Sequence, residues 1–299
     1  MSLPGLDELL ALRGAAQGLS LRARTPARAQ ALGAHPSTYR GRGLEFQEVR
    51  PYVAGDDPRS IDWRVTARRG RPHTKLFREE RERPVWLLVD LHAGLYFGTR
   101  RQLKSALMLR AAALLAWTTV LDGDRIAAVI AGAGGNRVLP PRSRDAGVLP
   151  LLAALVDMQP RAPAPRVENG LQAALRLLSP LVRPGSLVLA LSDFASLDTC
   201  DEALWLAVAA HSECRLFWIT DPLEEAALPN GRFRAGLPGL VRILDGAGVR
   251  AHWRQSWQAR EARLGSLARL IAAPLSRLDT PNSVEDMLRP LLPRRGSVA

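Results

Sequence analysis

The chain has 299 residues, of which 47% are hydrophobic and 23% are charged, and it carries a net charge of +12. A chain of this length predicts about two domains, and this composition excludes a disordered, collagen-like or disulfide-stapled protein. The positive charge invites a nucleic acid or an anionic membrane as a partner. Only Lys75 and Lys104 among the 41 basic residues are lysines, however, and such an Arg bias is what a GC-rich genome produces. The charge alone therefore indicates little about function.

The first 83 residues contain one helical segment and one segment without long periodicity. Leucines along one helical face predict a helix within residues 1–34, which Pro26 interrupts. Residues 35–83 are rich in Gly, Pro, Arg and Asp, but they also carry Phe, Tyr, Trp and Ile side chains. Because a disordered linker would lack those apolar side chains, we expect short strands or irregular structure that packs on another part of the protein.

From residue 84 onwards, short apolar runs alternate with helical patterns. The runs predict strands at residues 85–90, 124–131, 187–193 and 215–220, and short strands at 137–139 and 241–244. The helical patterns lie at residues 104–121, 144–158, 168–178, 201–211, 256–271 and 284–292. This alternation predicts an α/β protein with a doubly wound, mostly parallel sheet. We therefore divide the chain into a helical segment (1–34), an extension (35–83) and a sheet domain (84–299).

Two of the predicted strands end in an acid, Asp90 and Asp193. Functional sites of open parallel sheets form beyond the carboxyl ends of the strands, where the strand order reverses. If these strands are neighbours there, the two carboxylates converge, and they repel each other unless a cation or a shared proton intervenes. A hard cation such as Mg²⁺ or Ca²⁺ would suit such an oxygen-rich site. The alternative is that each acid only caps the helix that follows it.

A long motif precedes the first of these strands. It consists of Gly41–Gly70 (GRGLEFQEVRPYVAGDDPRSIDWRVTARRG) and Lys75–Leu91 (KLFREERERPVWLLVDL). Its Glu-Phe, Arg-x-Tyr, Gly-Asp-Asp-x-Arg-x-Ile-Asp-Trp and Ala-Arg elements resemble the signature of the domain of unknown function 58 family, and the resemblance extends over residues 35–292. It implies a von Willebrand factor type A-like fold with an N-terminal extension, and it does not by itself imply any enzymatic activity. It also implies a role beside MoxR-type AAA+ ATPases in the chaperone-like maturation or assembly of protein complexes.

The resemblance also implies a place for a divalent metal ion, the metal-ion-dependent adhesion site of von Willebrand factor type A domains. Such a site has an Asp-x-Ser-x-Ser loop, a Thr from a later loop and an Asp at a further strand end. Asp90 and Asp193 match the two acids. His92 and Gly94 stand where the two Ser hydroxyls are expected, and Asn169 stands approximately where the Thr is expected.

Because both hydroxyls are replaced and Gly94 has no side chain to offer, we expect a degenerate site with no cofactor or with weak Mg²⁺ binding. The alternative is a transition-metal site on Asp90, His92 and Asp193, since a neutral His suits such metals.

The motif itself forms a second candidate site. Asp56, Asp57 and Asp62 lie in a turn-rich stretch near several arginines. We expect these acids to pair with arginines and to clamp residues 35–83 onto the sheet domain, since bidentate pairs suit Arg. The alternative is a surface that docks a partner or binds phosphate. The candidate residues of this site are Glu45, Arg50, Tyr52, Gly55, Asp56, Asp57, Arg59, Asp62, Trp63 and Arg68.

The expected function is a non-enzymatic interaction module, an adaptor or cofactor of a MoxR-type AAA+ ATPase, with other von Willebrand factor type A proteins as further partners. A crevice over Asp90 and Asp193 would receive an acidic or metal-bridged side chain of the partner. The first alternative is a nucleic-acid- or anion-binding protein, in which Trp253 and Trp257 would stack on bases, although tryptophans at this helical spacing more often pack in a core. The charge excess lies at the two ends of the chain and the middle is nearly neutral, so we expect any basic patch to lie outside the crevice and nucleic acid not to be the main partner. The second alternative is a metal-dependent hydrolase.

The expected location is the cytoplasm. The first residues lack the basic and apolar stretches of a secretory signal peptide. The longest apolar stretch, residues 105–121, contains Arg110 and is marginal in length for a membrane span. Cys200 and Cys214 are too few for a disulfide framework and fit a reducing compartment.

Overall fold

A six-stranded sheet covered by helices forms the larger part of the computed structural model, which describes residues 2–22, 44–53, 58–79, 82–132, 134–164, 170–237 and 240–293. The chain divides into two compact units. Residues 1–22 and 83–299 form the sheet unit, and residues 23–82 form the signature unit. A helical segment was predicted over residues 1–34. The part of it that the structure describes, residues 2–22, belongs to the sheet unit.

The strands are β1 (Leu44–Pro51), β2 (His73–Glu79), β3 (Pro84–Leu91), β4 (Arg125–Gly132), β5 (Gly135–Ser143), β6 (Ser186–Ser192), β7 (Ser212–Thr220), β8 (Arg232–Leu237), β9 (Leu240–Asp245) and β10 (Leu275–Asp279). The α-helices are α1 (Leu6–Ala11), α2 (Arg13–Ala16), α3 (Trp63–Arg69), α4 (Lys104–Leu121), α5 (Asp145–Met158), α6 (Gly170–Leu178), α7 (Glu202–Ala209), α8 (Pro222–Ala226), α9 (Gly246–Leu270) and α10 (Val284–Leu288).

The main sheet has the strand order β10-β7-β6-β3-β4-β5. Neighbouring strands run parallel except for β4 and β5, which are antiparallel. The expected doubly wound, mostly parallel α/β sheet is therefore confirmed. The strand predicted at residues 137–139 is the longer edge strand β5, in which Pro140 and Pro141 are tolerated because they lie at an irregularity in the pairing of this edge strand with β4.

Strand β3 shows why the sequence has continuous apolar runs. Val85, Leu87 and Val89 pack with side chains of α4 and α5 on one face of the sheet. Trp86 and Leu88 pack with side chains of α6, α7 and α9 on the other face. Because helices cover both faces, every position of this strand after Pro84 is buried, and the alternation of polar and apolar residues disappears.

Helix α4 is the central helix of one face of the sheet. It contacts α1, α2, α5 and β3. Among the described residues it is the one helix whose length and composition would allow it to cross a membrane, and 83% of it is buried inside the protein. Its apolar sequence is thus accounted for by packing in the core.

The strand order reverses between β3 and β6. Strand β3 continues through α4 to β4 on one side, and β6 continues through α7 to β7 on the other side. The carboxyl ends of β3 and β6 therefore form the switch point at which open parallel sheets place their sites.

Some elements differ from the sequence-based predictions. The helix predicted at residues 256–271 is α9, which begins at Gly246 because Asp245 caps it by accepting hydrogen bonds from the N–H groups of Ala247 and Gly248. The glycines near this start have low helix propensity, so the first turns of α9 were not predicted as helix. The helix predicted at residues 284–292 ends at Leu288. Strands β8 and β10 and helices α3 and α8, which are all short, were not predicted from the sequence.

The signature unit contains the antiparallel pair β1 and β2, with an irregularity between Phe46 and Glu48. The short strands expected for this region are therefore present. Asp62 caps the start of α3, because its carboxylate accepts hydrogen bonds from the N–H groups of Arg64 (3.0 Å) and Val65 (3.2 Å). The helix ends at Gly70, whose φ of 69° is the left-handed conformation that glycine adopts readily.

Candidate functional site

The polar residues that follow β3, β6 and β7 meet at the carboxyl edge of the sheet. The structure brings Asp90, His92 and Asp193 together, with one potential ligand atom from each lying within 4.8 Å of those of the others. All three are buried, with exposed fractions of 2%, 5% and 4%. The two strand-end acids thus lie side by side, as expected if β3 and β6 are neighbours.

The carboxylate of Asp193 is the centre of this cluster. Its Oδ1 atom accepts hydrogen bonds from His92 Nε2 (3.0 Å) and from the N–H of Ala195 (3.0 Å). Its Oδ2 atom accepts a hydrogen bond from the Nζ of Lys104 at 2.9 Å. The backbone carbonyl of Asp193 accepts a further hydrogen bond from Trp218 Nε1 (3.2 Å). Both carboxylate oxygens are therefore already engaged.

Lys104, which was not identified from the sequence, is the first residue of α4 and is 1% exposed. Its ammonium group donates to Asp193 Oδ2 and, at 2.8 Å, to Glu224 Oε1. Burial by itself lowers the pKa of Lys104, but the attraction of Asp193 and Glu224 outweighs it and raises the pKa above its usual value. The side chain is therefore a fixed positive charge between two carboxylates.

The ring of His92 is held at both nitrogens. Its Nδ1 atom accepts a hydrogen bond from the N–H of Gly94 (3.1 Å). Because that nitrogen is the acceptor, the proton of a neutral ring lies on Nε2, which donates to Asp193. A Cβ atom on Gly94 would lie 2.9 Å from Nδ1 of this ring. Gly94 thus supplies a backbone donor and the space that the imidazole needs, a role its lack of a side chain did not suggest.

Asp90 is held by the residue that ends β6. Its Oδ2 atom accepts a hydrogen bond from the Oγ of Ser192 at 2.7 Å. The same Oγ accepts a hydrogen bond from the N–H of Phe194 at 2.9 Å. Asp90 is thereby linked to the loop that carries Asp193.

A second buried acid, Asp221, follows β7 and was also not identified from the sequence. Its Oδ1 atom accepts hydrogen bonds from the Thr99 hydroxyl and the Leu223 N–H, and its Oδ2 atom accepts from the Thr99 N–H and the Thr280 hydroxyl. Burial by itself raises the pKa of Asp221, but the hydrogen bonds from Thr280 and Thr99 outweigh it and lower the pKa. Asp221 and Glu224 also form a capping box at the start of α8. The sequence Asp-Pro-x-Glu directly after an apolar strand is the pattern that would have predicted it.

The described residues of the cluster do not fit a divalent metal ion. Ligation by His92 would require Nε2 to give up its hydrogen bond to Asp193, or Nδ1 to give up its hydrogen bond to Gly94. Ligation by Asp193 would place a metal ion beside the ammonium group of Lys104, which lies 2.9 Å from its Oδ2 atom. Asn169, the residue expected in place of the Thr ligand, lies outside the described residues.

The second candidate site lies in the signature unit. Asp62 caps α3 there, and Trp63 is 69% exposed at the start of the same helix. Arg59 and Arg68 are exposed. The side chain of Arg50 donates to the carbonyl of Pro51, and the N–H of Tyr52 donates to the carbonyl of Pro72. Glu45 lies in β1. Gly55, Asp56 and Asp57 lie outside the described residues, so the clamp by Asp56, Asp57 and Asp62 stays a prediction.

The chain is similar to several known proteins. Two mycobacterial relatives, "Uncharacterized protein Rv1480" of Mycobacterium tuberculosis and "Uncharacterized protein Mb1516" of Mycobacterium bovis, are each 31% identical to the chain over 273 residues, which is 88% of this chain and 83% of the relative. Two solved structures are similar at lower identity. The conserved hypothetical protein BatB from Bacteroides thetaiotaomicron is 16% identical, with a TM-score of 0.48 over 68% of this chain and 94% of that one. The SpRpn10 VWA domain is 10% identical, with a TM-score of 0.36 over 73% of this chain and 100% of that one.

The family comparison is specific. Residues 48–239 match the model of the family described as "Protein of unknown function DUF58". This match covers more than half of the chain and includes both strand-end acids, most of the signature unit and the loops around Lys104. The chain belongs to the DUF58 family.

Proposed function

We propose that this protein is a non-enzymatic, cytoplasmic interaction module that acts as an adaptor or cofactor of a MoxR-type AAA+ ATPase in the maturation or assembly of protein complexes. Other von Willebrand factor type A proteins are further partners in this proposal. Membership of the DUF58 family supports it, because the resemblance to that family implies this association.

The observation that carries the proposal is a buried polar network that ties together the loops at the carboxyl edge of the sheet. The bond between His92 and Asp193 joins the loops after β3 and β6. Lys104 joins the start of α4 to Asp193 and to Glu224 of α8. Asp221 accepts hydrogen bonds from Thr99 in the loop after β3 and from Thr280 after β10. The network thus includes His92, Thr99, Lys104, Asp193, Asp221, Glu224 and Thr280.

The acids and the lysine at the centre of this network are buried and hydrogen-bonded, which favours a structural frame over a reaction centre. A catalytic acid or base must reach the atom it protonates or deprotonates, whereas Asp90, Asp193 and Asp221 have exposed fractions of 2%, 4% and 0%. A frame that holds several neighbouring loops in fixed positions suits a docking surface, because less conformational entropy is lost on binding. We therefore place the docking surface on the loops and not on the buried carboxylates.

The loop between β3 and α4 presents two adjacent arginines, Arg100 and Arg101, that are exposed. Arg is enriched among residues that dominate binding energy at interfaces. We propose that these residues contact acidic side chains of the ATPase.

Co-purification of the full chain with the MoxR-type ATPase of the same genome tests this proposal in the nucleotide-free, ADP and ATP states. We expect Arg100→Glu to reduce the recovered ATPase at least about tenfold. The matched control is Arg183→Glu, which changes the charge equally at an exposed arginine before β6, on the opposite edge of the sheet. The absence of association in all three nucleotide states, or equal losses for both variants, would contradict the proposal.

A second candidate function rests on the hairpin β8-β9 together with α9. Between residues 232 and 263 the chain has seven arginines and two acids. Two apolar side chains of the hairpin, Val241 and Ile243, are 51% and 62% exposed. This basic arm would suit an anionic partner such as nucleic acid. Retention on DNA with an affinity that falls steeply with salt would support it, and Arg234→Glu together with Arg242→Glu should then weaken retention.

A further inference from the structure

We infer that Lys104 is a built-in cation that replaces a divalent metal ion at the carboxyl edge of the sheet. On this inference the site functions with an ammonium group of the protein itself, and the wild-type protein does not take up a metal ion there. The inference concerns the site alone and does not depend on the proposed partner.

Charge balance is the first argument. Asp193 and Glu224 both approach one point, and their oxygens lie 2.9 Å and 2.8 Å from Lys104 Nζ. The side chains are 5% and 17% exposed, and that of Lys104 is 1% exposed. Two carboxylates in such a position need a cation between them, and an ammonium group supplies three donors for this purpose. The cation that the arrangement requires is therefore already present.

The second argument is the position of Lys104 in its helix. It is the first residue of the 18-residue helix α4, at the end where the helix dipole disfavours a positive charge. A buried ammonium group also loses its hydration. A lysine at this position is therefore costly unless the two carboxylates compensate for it, which indicates that its charge serves the carboxylate site.

The third argument is the choice of lysine over arginine. The chain has 41 basic residues, of which only Lys75 and Lys104 are lysines. An ammonium group is a compact charge, whereas a guanidinium group is planar and broad. A buried position between two carboxylates accepts the compact group, so the size of the cation and not the general composition of the chain explains this residue.

The loop after β3 completes the arrangement. His92 and Gly94 occupy the places of the two hydroxyls that would face a metal ion, and they bond to each other through Nδ1 and the N–H group. His92 then donates to the Asp193 oxygen that Lys104 does not contact. Lys104, His92 and Gly94 thus form one consistent set of replacements around the same acid.

The test begins with the wild-type protein. After dialysis against a chelator, titration with Mg²⁺, Mn²⁺ or Zn²⁺ should produce no stoichiometric binding and a change in Tm below about 1 °C. Because the chain has two lysines, protein labelled with ¹⁵N-lysine gives at most two ammonium signals. We expect one of them to exchange slowly with water and to stay unchanged when these metals are added. A tightly bound equivalent of metal, or a metal-dependent shift of the slowly exchanging signal, would overturn the inference.

Two variants then distinguish the effect of the Lys104 charge from the effect of the space that its side chain fills. Lys104→Ala opens the position, and we expect a Tm lower by about 6–15 °C that Mn²⁺ or Mg²⁺ partly restores and a chelator lowers again. Lys104→Met fills the same position without a charge, and we expect a lower Tm that no metal restores. A Lys104→Ala variant as stable as the wild type, or one that responds to metals no more than Lys104→Met, would overturn the inference. Should neither variant fold, the measurements on the wild-type protein decide.

Discussion

Replacement of Asp221 by Asn tests whether the polar network at the carboxyl edge is as tightly specified as its hydrogen bonds indicate. Each carboxylate oxygen of Asp221 accepts from one backbone N–H group, Oδ1 from Leu223 (3.0 Å) and Oδ2 from Thr99 (2.8 Å). A hydroxyl group can rotate to suit a new neighbour, but a backbone N–H cannot. Whichever way an asparagine amide is turned, its NH₂ group therefore faces a backbone N–H.

The expected cost follows from these contacts. The substitution removes one hydrogen bond to a charged acceptor, worth about 1.5–3 kcal/mol, and leaves a donor without a partner at a further cost of about 1–3 kcal/mol. Since Asp221 is 0% exposed, water does not replace the lost acceptor. We expect Asp221→Asn to lower the free energy of unfolding by about 3–5 kcal/mol. The control is Asp201→Asn, an exposed helix cap that accepts one bond from Ala203 N, where Asn caps about as well as Asp.

Urea unfolding followed by tryptophan fluorescence measures both variants, because six of the seven tryptophans belong to the sheet unit. The folded-state pKa of Asp221 is lowered, so its charge contributes stability above the pKa of the unfolded chain, about 3.9. That contribution is lost as the pH falls through the folded-state pKa. The difference between wild type and Asp221→Asn should therefore be constant above about pH 5 and shrink below about pH 4. A variant within 1 kcal/mol of the wild type at pH 7 would refute this account of the network.

Two further predictions concern the same unit. Gly94→Ala should lower the free energy of unfolding by about 1–3 kcal/mol, because its Cβ would lie 2.9 Å from His92 Nδ1. The control is Gly14→Ala in α2, where a Cβ meets no atom within 4 Å and the change should be neutral or stabilising by up to about 1 kcal/mol. Thermal unfolding of both variants measures the difference. Burial raises the pKa of the Cys214 thiol, and Cys200 is also buried. A thiol reagent should therefore modify both cysteines at least about 100-fold more slowly in the native protein than in denaturant, and rapid native labelling of Cys214 would contradict its placement in β7.

The strands of the sheet core were predictable because their burial is visible in the sequence. Strands β3 and β6 are buried at nearly every position, and such strands read as continuous apolar runs. Strand β5 was only partly predictable, since most of its side chains are exposed and an edge strand lacks that signal. In the β8-β9 hairpin, β9 was predicted and β8 was not, for the same reason.

The candidate site was predictable only where a strand end marks it. Asp90 and Asp193 follow apolar runs and could be located on that basis. Lys104 lies 89 residues from Asp193 in the chain, and Thr280 lies 59 residues from Asp221. No periodicity or spacing links residues that far apart, because the contact depends on the order in which the strands join the sheet. The acids were therefore visible in the sequence, whereas the cation and the hydroxyls that satisfy them were not.

The departures from the Asp-x-Ser-x-Ser pattern make physical sense only when taken together. A serine at position 94 alone would add a Cβ that contacts the His92 ring, so it would disturb the loop without creating a metal site. A serine at position 92 alone would leave Asp193 Oδ1 without the donor it now has, while Lys104 still occupied Oδ2. Conversion to a metal site would thus require changes at all three positions, His92, Gly94 and Lys104. The absence of the two hydroxyls is therefore not simply the loss of a metal site. It belongs to an alternative arrangement, in which the Lys104 ammonium group balances the charge of Asp193 and the His92 imidazole orients its carboxylate.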